Sequence, residues 1–99
     1  MSRFKPEVRK YAILEAAVAL ALSDGLCSVR LIPVAQRAGV TNGLVSHYFG
    51  TVKQLHRAVI RHAIHREILP IVAQALAAGD GDARKAPDEL KQRALASLL

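Results

Sequence analysis

The stretch Ala35–Phe49, AQRAGVTNGLVSHYF, decides how this chain is read. It has the pattern of two short helices joined by a tight glycine turn. Ala35 is small where two helices must cross closely. Gly39 supplies the positive φ of the turn, and Val40, Val45 and Phe49 form an inward face. Thr41 is a natural N-cap for a helix over Asn42–Phe49, which Gly50 stops. Thr41, Asn42, Gly43, Leu44, Ser46, His47 and Tyr48 then fall at or near that helix's outer surface. Hydroxyl, amide and imidazole groups so placed suit phosphates and base edges, if the helix enters a major groove N-terminus first.

The surroundings of this stretch are basic. From Gly25 to Arg66 there is no Asp or Glu, while Arg30, Arg37, Lys53, Arg57, Arg61 and Arg66 all lie there. Residues 1–66 hold ten Lys/Arg against Glu7, Glu15 and Asp24, a balance of +7, and residues 67–99 carry −1, matching the overall +6. A basic face alone is common on helical proteins. Coincidence with the turn is what points to a polyanionic partner such as DNA.

Working outward, a helix is expected from about Pro6 to Ser23, with proline in the first turn and apolar residues at near-helical spacing up to Gly25. A second helix covers Leu31–Ala38. Starting it at Leu31 keeps Pro33 in the first turn, where it does little harm, and leaves Arg30 at the cap. Thr51-Val52-Lys53-Gln54 is a capping box that opens a long fourth helix to about Leu69. Pro70 kinks or ends that helix, and Ile71–Ala78 continues as helix. Gly79-Asp80-Gly81-Asp82 reads as a linker, and Pro87-Asp88-Glu89 as the start of a last helix carrying Leu90, Leu95, Leu98 and Leu99. The fold class is all-α.

The 99 residues allow one small domain whose core is only modestly stable alone. Cys27, the single cysteine, excludes an internal disulfide, fits a reducing cytosol and reads as a small core residue. Leu26 and Cys27 are expected to pack as the chain turns back after Gly25. No apolar run approaches the roughly 20 residues of a membrane span, and no leader signal opens the chain. A soluble, intracellular protein is expected.

The order and spacing of these elements resemble the TetR family of bacterial transcriptional repressors. The resemblance rests on Ile13-Leu14-x-x-Ala17, Gly25, Val34-Ala35-x-x-Ala38-Gly39-Val40-Thr41, Phe49, Gly50 and Leu55. Gly43-x-x-Ser46-His47-Tyr48-Phe49 is particularly similar to the branch of choline-responsive betaine repressors. The resemblance covers residues 6–69. It implies a three-helix, homeodomain-like DNA-binding module that binds a palindromic operator as a dimer, with the third helix in the major groove. It implies base-edge and adjacent backbone contacts at Thr41, Asn42, Gly43 and Leu44, and phosphate contacts near Ser46, His47 and Tyr48.

Two positions depart from the family. Arg30 stands where a Thr or Ser is usual, adding a cation at the start of the second helix. Val52 stands where a phosphate-binding Lys is usual, and Lys53 is the nearest replacement. An N-terminal arm with Arg3 and Lys5 either reaches an adjacent groove or is a solvated basic tail. By this reading, residues 1–69 are the DNA-binding domain and residues 70–99 a short helical segment. The family's ligand-binding and dimerisation domain would barely have begun there. The chain reads as a natural short regulator or a truncated one, and a small-molecule effector has little support.

Rival chemistries find less footing. His62 and His65, three apart on one helical face, lack the third and fourth ligands of a zinc site, so His56, His62 and His65 read as surface histidines and no metal or cofactor is expected. Ser46 and His47 point about 100° apart on a helix and cannot form a nucleophile–base pair. Without paired carboxylates or a phosphate loop, no enzyme is expected. The remaining alternative is an interaction module that heterodimerises with a full-length regulator through Leu90–Leu99 and the fourth helix.

Overall fold

The computed structural model describes residues 5–98, and every described element is helical. They run α1 (Pro6–Asp24), a 3-10 turn at Leu26–Ser28, α2 (Leu31–Ala38), α3 (Asn42–Phe49), α4 (Val52–Arg66), α5 (Leu69–Ala77), α6 (Gly81–Arg84) and α7 (Asp88–Ala96). The all-α expectation holds, and α2 and α3 have the expected bounds. Arg3 and Leu99 lie outside the described residues, whereas Lys5 is the exposed N-cap of α1.

One apolar core ties the helices together. Ile13, Ala17 and Ala21 of α1 meet Val34 and Ala35 of α2, Val45 and Phe49 of α3, and Leu55, Val59 and Ala63 of α4. The same core continues into Ile71, Val72 and Ala73 of α5 and Ala94 of α7. Leu55, Ile71 and Ile13 are the bulkiest fully buried side chains. Each contributes about 1.5–3 kcal/mol relative to an exposed position. A smaller cluster of Ile60, Ala75 and Ala83 seats α6 against α4 and α5.

The long fourth helix ends earlier than its periodicity suggests. It stops at Arg66 because Glu67 takes the left-handed conformation, φ 56° and ψ 46°. Pro70 therefore sits in the first turn of α5, where its missing N–H costs nothing, rather than kinking α4. The expected linker at Gly79–Asp82 also has structure: Asp80 Oδ2 accepts from Ala83 N–H at 2.9 Å and caps α6. Leu90 is buried, while Leu95 and Leu98 stay exposed.

Cys27 is exposed, so it is not the core residue its composition suggests; its place on a surface turn leaves the apolar role to Val29, which is fully buried. Two of the three α4 histidines are half-buried rather than freely exposed. His56 Nε2 lies 2.6 Å from the Val29 carbonyl oxygen. His62, its side chain 13% exposed, sits edge-on to the Tyr11 ring with Nε2 3.9 Å from Glu15 Oε1. Both contacts come from distant parts of the chain that α4 crosses.

Candidate nucleic-acid interface

The turn between α2 and α3 is closed by two backbone hydrogen bonds. Val40 N–H donates to the Ala35 carbonyl at 3.0 Å, and Gly39 N–H to that of Gln36 at 3.3 Å. This pattern requires a left-handed residue at its centre, and Gly39 provides it at φ 71°. The chain then reverses so that Val40 tucks against the core. Thr41 Oγ1 accepts from Leu44 N–H at 3.2 Å, which caps α3 and fixes its direction.

Along α3 the two faces separate. Val45 and Phe49 are buried, and Leu44 and Tyr48 lean half-buried on the core. Thr41, Asn42, Gly43 and His47 are exposed, with Ser46 between the two faces. The His47 and Tyr48 rings meet edge-on with centroids 5.0 Å apart. Gly43 is a helical residue with open space around it, where an added Cβ would meet only Thr41 Oγ1, at 4.0 Å. Nothing within the fold demands a glycine there.

The start of α4 lies beside this surface. Thr51 Oγ1 accepts from Gln54 N–H at 3.2 Å, and Gln54 Oε1 accepts from Thr51 N–H at 2.8 Å. That reciprocal box sets the first turn of α4 and the direction of Val52 and Lys53, both exposed. Arg30, Asn42 and Val52 border one shallow cleft together with Ile32 and Pro33. The structure thus brings Arg30 of the α2 cap, Asn42 of α3 and the α4 start to one surface. Lys53 borders an adjoining groove with His56 and Arg57. Among the described residues, Arg30, Arg37 and Lys53 enter no ion pair.

Two further basic groups belong to this neighbourhood, neither of them part of the turn motif. Lys10 of α1 places Nζ 5.5 Å from the Phe49 ring centroid, bringing a cation to the C-terminal end of α3. Only the α1–α3 packing reveals it. Arg57 stands one turn beyond Lys53, and the capping box, by fixing the start of α4, already contains that information.

A short helix with one exposed face, set at a glycine turn against α2, with Arg30 and Lys53 beside it, defines a helix-turn-helix module. Comparison with known proteins agrees. The chain is 33% identical over 78 residues to the helix-turn-helix-type transcriptional regulator BetI of Paraburkholderia phytofirmans, covering 79% of this chain and 40% of that protein. It is 38% identical over 58 residues to BetI of Paraburkholderia xenovorans, covering 59% and 30%. With BetI of Yersinia pestis it shares 37% over 71 residues, covering 72% and 35%. The chain is a homologue of these TetR-type regulators and spans well under half of their length. No protein-family model matches it, and no solved structure does.

Proposed function

We propose that the chain is a sequence-specific transcriptional repressor in which α3 enters the major groove of a palindromic operator, two copies acting as a dimer. The observation that carries this reading is Gly43. A helix keeps its least favourable ordinary residue on an exposed turn that the fold does not crowd. An approaching surface outside the protein supplies the reason. Asn42 and Thr41 beside it offer amide and hydroxyl groups to base edges and backbone, and Ser46, His47 and Tyr48 face flanking phosphates. Arg30 and Lys53 add cations on either side.

Repression by occupancy needs no catalytic step and no cofactor. The matched relatives are transcriptional regulators, and no helix among the described residues is long and apolar enough to cross a membrane. In this reading the protein works on double-stranded DNA in the bacterial cytoplasm.

Selection from a random duplex library tests the proposal. The expected result is an enriched palindrome bound with affinity that falls steeply with salt, because each neutralised phosphate releases counterions. A two-to-one protein-to-duplex mass on that palindrome is expected as well. Absence of DNA binding even at low salt would overturn the reading. That outcome favours the second one, a module that pairs with a full-length regulator, for which Leu95 and Leu98, 50% and 63% exposed, supply an apolar surface.

A further inference from the structure

Arg57 and Arg61 are exposed on α4, yet both face one carboxylate from another helix. Asp82 Oδ2 lies 3.8 Å from Arg57 Nε and 3.5 Å from Arg61 Nε. Lys53, Arg57 and Arg61 fall four residues apart, so they form one ridge along α4 that starts at the proposed DNA surface. The two arginine side chains remain 59% and 64% exposed, while Asp82 is 29% exposed. One oxygen beyond ordinary hydrogen-bond distance from both Nε groups leaves the outer guanidinium nitrogens free for another anion.

Asp82 is held in place rather than tethered loosely. Its helix α6 is capped by Asp80, and the neighbouring Ala83 is completely buried against Ile60 and Ala75. A phosphate reaching the ridge therefore meets a fixed negative charge. We infer that Lys53, Arg57 and Arg61 form a ridge that follows the DNA phosphate backbone beyond the helix-turn-helix, and that Asp82 is its built-in anionic competitor. The inference rests on the DNA-binding reading. It makes the seating of α6 on α4 and the strength of backbone contact opposing quantities: DNA on the ridge weakens the α4–α6 ion pairs, and those pairs weaken DNA.

The test uses the full chain and a random-sequence duplex, since backbone contacts ignore base identity. Asp82→Asn is compared with wild type and with Asp88→Asn, which removes the same charge from α7, where Asp88 pairs with Lys91 on its own helix. Asp82→Asn is expected to tighten binding about threefold at low salt, the size of one screened charge a few ångströms away. Its salt slope is expected to steepen by about one phosphate contact. Adding Arg57→Ala and Arg61→Ala to Asp82→Asn is expected to abolish the gain. Equal effects of Asp82→Asn and Asp88→Asn would overturn the inference and leave the DNA-binding reading standing. No binding by wild type or any variant would remove both. A thermal melt confirms that each variant compared is folded.

Discussion

Gly39 and Glu67 occupy equivalent positions in two equivalent helix ends. Both are left-handed, at φ 71° and 56°, and in each case the following residue donates back over the turn: Val40 to Ala35 at 3.0 Å, Ile68 to Ala63 at 2.8 Å. Gly39 closes α2 ahead of α3, and Glu67 closes α4 ahead of α5. A left-handed conformation strains any residue with a Cβ by roughly 1–2 kcal/mol, a burden glycine escapes. Glu67 is the only non-glycine with positive φ among the described residues. Its carboxylate pairs with Arg93 of α7, but both groups are about half exposed, and exposed pairs contribute little. Glu67→Gly is therefore expected to raise the thermal midpoint by several degrees. An unchanged or lower midpoint would show that the link to α7 outweighs the backbone strain.

Gly39→Ala runs the other way. An added Cβ meets nothing within 4 Å, so its penalty is conformational alone. Stability is expected to fall by about 1 kcal/mol in urea unfolding, with the m-value unchanged. A loss of several kcal/mol would mean that the turn has rearranged and that α3 has lost its seat.

The contrast between these two turns explains what was legible in the sequence. Gly39 and Thr41, like Thr51 and Gln54, act on neighbours a few residues away, so α2, α3 and the start of α4 read directly from local chemistry. Glu67 gives no such signal: nothing about a glutamate announces a left-handed residue, and Pro70 drew the expected break toward itself. Longer reach hides more. Gln74 Oε1 accepts from Leu26 N–H at 2.8 Å across 48 residues, and His56 contacts the Val29 carbonyl across 27. The pairing of Asp82 with Arg57 and Arg61 likewise appears only once α6 is folded onto α4. At the candidate site, the α3 positions came from spacing, whereas Lys10 came only from helix packing.

Val52→Lys restores the cation that TetR-type sequences usually carry at the start of α4. Val52 is 39% exposed and outside the buried core, so little stability is at stake. Affinity for any duplex is expected to rise about fivefold at low salt, with a salt slope steeper by about one. If the slope does not change, this first turn of α4 does not face phosphate.

Asn42→Ala and Tyr48→Phe separate base reading from backbone grip. Asn42 is exposed at the first position of α3, and its loss is expected to change the preferred base by roughly 1–3 kcal/mol while sparing random DNA. Tyr48→Phe keeps the ring that leans on the core and removes only the hydroxyl. It is expected to weaken operator and random duplexes alike, by about 1 kcal/mol. Fluorescence anisotropy on both duplexes distinguishes the two patterns. Equal loss on both for Asn42→Ala would remove that residue from base recognition.

Gly43→Ala sets stability against function at a single methyl group. Within the fold the new Cβ has open space, with Thr41 Oγ1 as its nearest contact at 4.0 Å. Alanine is the better helix former, so the variant is expected to be more stable by about 0.5 kcal/mol. In the proposed docking the same methyl stands between α3 and the groove, and affinity for operator DNA is expected to fall about tenfold, the size of one lost base contact. Stability and affinity thus move in opposite directions, which no general damage to the fold can produce. A variant that is more stable and binds as well as wild type would show that Gly43 does not touch DNA, and the docking of α3 would have to be turned so that His47, farther along the exposed face, leads into the groove.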